Sequence, residues 1–204
     1  IGLEVLPPDV NESFQDFAVI VGDDDTERIR FGLSAIKNVG DVAAEEIVAE
    51  RKRNGKYTSL ENFMERVQTK DLNKRTLEAL AKVGALVQFG ETQSILESLD
   101  AIIRYGKDAR TLKESHGDSL FGALPLPETK IKLKSVPPAP KKQQLSWEKE
   151  LLGLYVSGHP ATEYAIYLRQ IAVPIHELEK EPDGKSVTIG GIITSVRKSL
   201  SKTG

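Results

Sequence analysis

The sequence predicts a mainly α fold, a tandem pair of helix–hairpin–helix units with a short β-hairpin ahead of it. Three observations carry this expectation. Apolar residues recur at helical period in successive stretches from Gly40 onward. Two breaks between those stretches, Lys37-Asn38-Val39-Gly40 and Lys82-Val83-Gly84, share a Val-Gly step and stand about 44 positions apart. Before both, Asp16 to Leu33 alternates apolar and polar residues on either side of a polar, turn-rich middle, which reads as a hairpin.

Leu33 to Lys37 reads as a first helical piece, and Asn38 to Gly40 as the break that ends it. After Gly40, Ala43, Ala44, Ile47 and Val48 line one helical face, and Glu45, Glu46, Glu50 and Arg51 lie mostly outside it. Asn54 and Gly55 punctuate its end, where Arg51, Lys52 and Arg53 suit the negative pole of the helix dipole. Thr58 and Glu61 have capping-box spacing for a second helix carrying Leu60, Phe63, Met64 and Val67. Asn73 caps a third with Leu77, Leu80 and Ala81, and Ile95, Leu96, Leu99, Ile102 and Ile103 form a fourth. From Gly106 to Gln144 the period fades among Pro125, Pro127, Pro137, Pro138 and Pro140, which predicts a linker. Helix returns with Trp147, Leu151, Leu154 and Tyr155 on one face, closed by Gly158, and Pro160 opens another through Tyr164 and Leu168. From Ser186 the chain turns β-branched, with Gly190 and Gly191 placed for a bend, so a strand is expected whose partners lie beyond Gly204.

Composition narrows the function. The 204 residues are 39% hydrophobic and 28% charged, enough to bury a substantial core. Without cysteine there is no disulfide or thiolate metal site, which suits a reducing cytoplasm. No apolar run approaches the ~20 residues that span a bilayer, so no membrane partner is expected. A chain that begins at Ile1, with Met64 its only methionine, points to an excised fragment. The formal net charge of -2 hides a strong asymmetry: residues 1 to 27 carry acids and no Lys or Arg. From Arg66 to Lys82, by contrast, Arg66, Lys70, Lys74, Arg75 and Lys82 face only Asp71 and Glu78.

A helix starting just after Gly40 presents unpaired backbone N–H groups and a positive dipole end, and a glycine there lets a phosphate come close. Asn38, Val39 and Gly40, with Lys37 beside them, therefore form a candidate anion cradle. The plainer reading is a tight turn between packed helices. The echo at Lys82, Val83 and Gly84 suggests a pseudo-twofold pair gripping phosphates of both strands of double-stranded DNA, with Lys74 and Arg75 as further cations. The plainer reading of any single one of these cations is a solvated helix face. His116, His159 and His176 are scattered, and His159 reads as a cap at a helix start; Asp23, Asp24 and Asp25 read as a water-facing turn.

The stretches "GLEVLPPDVNES", "IRFGLSAIKNVG", "TLEALAKVGAL" and "EKELLGLYVSGHPATEY" together resemble the C family of bacterial replicative DNA polymerases, the family of the DNA polymerase III alpha subunits, in order along nearly the whole chain. The resemblance implies the end of a fingers region over residues 1–33 and a tandem helix–hairpin–helix DNA-binding domain over 34–105. It further implies a linker over 106–144, a helical connector over 145–185 and the first strand of a truncated OB-fold over 186–204. The implied whole is a cytoplasmic DNA-directed DNA polymerase using magnesium, partnered by DNA, the beta sliding clamp and other replisome subunits. No residue here matches the family's catalytic aspartates, so no catalytic or metal residue and no cofactor is assigned to this stretch. Ser119, Leu120 and Phe121 in "GDSLFG" fall where the family places its clamp-binding motif, with Gly117 where a glutamine is expected. Two alternatives remain: a helix–hairpin–helix accessory or repair protein, and a structural scaffold without nucleic-acid contact.

Overall fold

The alternating stretch near the start does fold on itself. In the computed structural model, which describes residues 3–22, 24–116, 130–193 and 196–197 (backbone alone for 112–116 and Glu163), β2 (Ala18–Val21) pairs antiparallel with β3 (Glu27–Arg30). A third strand was not expected. β1 (Glu4–Leu6) joins β3 in parallel, for a sheet order β1-β3-β2, and Arg28 fastens it by donating from Nε to Glu4 at 2.9 Å. Three residues next to two prolines are too few to register a period.

The helices follow from Gly40: α1 (Asp41–Asn54), α2 (Leu60–Arg66), α3 (Lys74–Lys82), α4 (Thr92–Glu97), α5 (Leu99–His116), α6 (Lys141–Leu151) and α7 (Ala165–Ile171). The mainly α architecture stands, with five local corrections. Leu33 to Lys37 is a run of turns, because Val39 N–H returns to Ile36 O, Lys37 N–H leaves for Leu151 O, and Asn38 takes a positive φ of 73°. The α2 cap is Ser59, whose side chain accepts from Asn62 N–H, one residue after the expected Thr58. The fourth helix is two, α4 and α5, parted at Ser98, and α5 continues through His116 into the expected linker. α6 ends at Leu151, where Gly153 at φ 78° turns the chain before Leu154 and Tyr155. No strand forms among the described residues of 186–204, whose Ile189 and Ile193 stand exposed: without a neighbouring strand their backbone has no ladder to join.

The chain divides into two compact units, residues 1–157 and 158–204. In the first, Leu33, Ile47, Leu60, Phe63, Leu77, Leu80, Leu86, Ile95 and Ile102 form one core, and α6 adds Leu151 and Leu152 to it. α6, which overlaps the start of the expected helical connector, thus packs into this core. Glu148, buried on α6, accepts from the amides of Val156 and Ser157 and so fixes the last turn of this unit. In the second unit His159 caps a 3₁₀ turn over Pro160–Tyr164, its Nδ1 accepting from Ala161 N–H, ahead of α7. A further 3₁₀ turn covers Ile175–Lys180, and Val173 N–H reaches Thr188 O.

Two buried polar groups tie the first unit together. Asn11, 7% exposed, accepts from Tyr57 N–H and donates to Tyr57 O and to Gln88 Oε1. Glu50, 6% exposed, accepts from Arg66 Nε at 3.0 Å and from Asn54 at 2.8 Å. Arg66 also donates to the carbonyls of Glu50, Lys56 and Gly55 and lies over the Tyr57 ring at 4.5 Å. Burial pushes the Glu50 carboxyl up, but the bonds from Asn54 and Arg66 and the charges of Arg66 and Arg53 outweigh it, leaving it below the ordinary glutamate range.

Asn11→Ala strands the buried N–H and C=O of Tyr57, so urea unfolding should show a loss of about 2–3 kcal/mol. For Glu50 the folded pKa is the lower one, so its contribution is complete above the unfolded value of about 4.3 and disappears as pH falls through the folded value. Thermal melts of Glu50→Gln should therefore show lower stability at neutral pH and a flatter decline below about pH 4.3 than the parent chain.

Candidate nucleic-acid interface

The first break becomes a helix start of an unusual kind. Gly40 is the N-cap of α1 in extended conformation, φ −76° and ψ 157°, and no side chain caps the helix. The first helical bond is Ala44 N–H to Gly40 O, so the amides of Asp41, Val42 and Ala43 keep the orphan status of every helix start. A Cβ built on Gly40 meets nothing within 4 Å, so the space before these donors is open. Asp41, exposed, is the acidic group of this first turn.

This opening is one wall of a cleft of about 360 Å³ lined by Asn38, Val39, Gly40, Asp71, Asn73, Arg75 and Thr76. The opposite wall is the start of α3. Thr76 joins the walls: its Oγ1 donates to Asp71 O at 2.8 Å and lies 3.2 Å from Asn38 O. Asn73 Oδ1 takes the amides of Arg75 and Thr76, so α3 is capped where α1 is not. Arg75 is exposed, forms no ion pair among the described residues and stands in the cleft as its cation. Asn73 and Thr76 thus position the site. The sequence marked Asn73 only as a cap, and nothing in a single threonine foretold its close approach to a hairpin 38 residues away.

The other expected cations are placed differently. Lys37 is exposed beside the hairpin but does not line the cleft. Lys74 points to a second groove, where its Nζ sits 2.7 Å from Asp100; that hydrogen bond raises the lysine's pKa and lowers the aspartate's, so both stay charged at neutral pH. Lys82 pairs with Glu78 at 2.6 Å and lies 5.8 Å from the Trp147 ring centroid, which holds it against α6.

The second hairpin is not a copy of the first. Val39 and Val83 are each 5% exposed and pack inward alike. Gly84, at φ 78°, needs to be glycine, but its N–H returns to Ala81 O and that of Ala85 to Leu80 O. The chain then makes a single 3₁₀ turn, Val87–Phe89, and α4 starts later under a cap from Glu91. The expectation of two matched cradles is corrected: one hairpin offers free amides, and the other closes its own helix.

Ser119, Leu120 and Phe121, with Gly117, lie outside the described residues. Among the described residues no three His, Asp or Glu side chains gather as a metal set, and Asp24 is bound by Thr26 and Arg28. No described helix is long and apolar enough to cross a membrane.

Residues 2–96 match the helix–hairpin–helix motif family. Along its whole length the chain is similar to the DNA polymerase III alpha subunit of Thermus aquaticus, with 39% identity over 16% of that relative. The corresponding subunit of Neisseria meningitidis is 35% identical over all of this chain and 17% of its own length. That of Borreliella burgdorferi is 38% identical over 99% of this chain and 18% of its own. The chain therefore spans about a sixth of the length of the curated relatives it matches.

Proposed function

We propose that this chain, similar along its full length to bacterial DNA polymerase III alpha subunits as a fragment of one would be, holds duplex DNA by its phosphate backbone during replication. The carrying observation is the open start of α1: uncapped amides behind Gly40, clear space before them and Arg75 across the cleft. Such a site takes an oxyanion through backbone donors and the helix dipole, with no means of reading a base. Grip of this kind is sequence-independent and falls steeply with salt. In this reading Asn38, Val39, Gly40 and Arg75 make the contact, with Lys37 at its edge. Lys74, Lys82, Val83 and Gly84 shape the body that presents it. Polymerase activity, its magnesium and the remaining replisome partners belong to the parent subunit in this proposal.

The same proposal assigns Leu120 and Phe121, next to Ser119, as an apolar anchor for the sliding clamp; the similarity to alpha subunits along the whole chain supports it. A tether raises the effective concentration of DNA at the grip, so a moderate anchor suffices even with Gly117 in place of glutamine.

Two variants separate these roles. Gly40→Asp adds a side chain where there is room and places a good N-cap residue on α1, so melting temperature should hold or rise slightly. Its carboxylate occupies the amides and repels phosphate, so duplex affinity by fluorescence anisotropy should fall about tenfold or more, roughly 1.4 kcal/mol. Unchanged affinity rejects the cradle. Leu120→Ala with Phe121→Ala should abolish capture of the chain on immobilised clamp and leave duplex binding intact; retained capture rejects the anchor.

A further inference from the structure

Residues 130–135, expected as free linker, lie across the helical body. Ile131 N–H donates to Glu61 Oε1 at 2.7 Å, at the start of α2. Lys134 N–H donates to Ser98 Oγ at 2.9 Å, at the α4–α5 junction. Between these pins Ile131 and Leu133 are partly buried against the core, and Gly90 makes room for Leu133, whose Cδ1 would stand 2.5 Å from a Cβ there. Lys130, Lys132 and Lys134 alternate with them and are exposed. The period of two is that of an extended chain, which sets successive lysines roughly 6.6 Å apart.

None of the three forms an ion pair among the described residues. Two acids lie near them: Glu61 accepts the Ile131 amide and feels the charge of Lys130, and Asp100 accepts the Lys74 ammonium and feels that of Lys134. From Lys130 to Lys142 the chain carries Lys130, Lys132, Lys134, Lys141 and Lys142 and no acid. The core thus fixes the apolar half of this segment and leaves on the other a row of exposed cations outside any close ion pair among the described residues.

We infer that Lys130, Lys132 and Lys134 form a rail that binds consecutive phosphates of one nucleic-acid strand. This is a contact separate from the Gly40 cleft, and it extends the DNA-holding reading. A nucleic-acid backbone repeats its charge at a fixed interval and gains affinity by counterion release alone, which is what a row of point cations can use. An acidic peptide has no such fixed charge interval, and Ile131 and Leu133, packed against the core, offer it no apolar contact.

The test measures affinity of the 204-residue chain for a labelled duplex and a labelled oligothymidine strand across a salt series. Combined Lys130→Gln, Lys132→Gln and Lys134→Gln should lower the slope of log affinity against log salt by about 2 to 3, at roughly 0.9 per phosphate on duplex and 0.7 on single strand. Loss on one probe identifies the strand form the rail takes. The matching triple Lys→Arg variant should keep the parent slope, which separates charge from folding. An unchanged slope on both probes, no binding by the parent chain, a reduced slope in the arginine variant, or equal binding of polyglutamate each overturns the rail. Gly40→Asp in parallel distinguishes the two sites: loss there with no effect of the glutamines leaves the cleft and removes the rail, and the reverse leaves the rail alone.

Discussion

The first unit depends on how the turn Asp9–Ser13 is wired into the helices. Arg51, in the last turn of α1, donates to Val10 O and Ser13 O, both at 2.7 Å. Val10 N–H reaches Ala85 O in the second hairpin, and Asn11 bonds to Tyr57 on one side and Gln88 on the other. One short turn therefore joins the sheet segment, the end of α1, the start of α2 and the exit from α3. Because Val10, Asn11, Ser13, Tyr57 and Ala85 are buried, a lost bond among them leaves a desolvated partner, so the arrangement is far stiffer than a count of bonds suggests. A site built from two helix starts needs that stiffness. The cleft behind Gly40 keeps its shape only while α1 and α3 hold their mutual angle.

The same wiring explains which lysines are free. Near the core, cations are drawn into structural work: Lys82 lies against Trp147 and Glu78, Lys74 meets Asp100, and Arg66 and Arg51 serve carbonyls. The cations left over are those on elements that have already satisfied themselves. Arg75 follows a capped helix start, and Lys130, Lys132 and Lys134 ride on an extended segment whose other face is packed. Charge counted along the sequence overstates the binding surface, because a basic residue near an acid or a carbonyl is spent before any ligand arrives.

Much of this is legible in the sequence. The helical period locates α1, α2 and α3, and Asn73 reads correctly as a cap because its residue type and its position before an apolar run both point one way. The misreadings have local physical causes. Leu33 to Lys37 has helical composition, but its amides are claimed by Leu151 and by a tight turn, and a distant acceptor has no imprint on nearby residues. Residues 130–135 have a clean alternation that prolines on either side obscure. The Thr76 link between hairpin and helix joins residues far apart in sequence, which no period reports.

The unequal hairpins show how a sequence repeat and a functional repeat come apart. Both breaks carry Val-Gly, and in both the valine is buried to the same extent, so the shared pattern marks a shared packing demand. The glycines serve different ends. Gly84 is forced by a positive φ and closes α3, whereas Gly40 has an ordinary φ and open space, so nothing steric in the fold requires it to be glycine. Packing thus leaves Gly40 unconstrained at the mouth of a cleft that carries free amides and Arg75. The repeat led to the cleft, but the difference between its two copies shows which one leaves helix amides open.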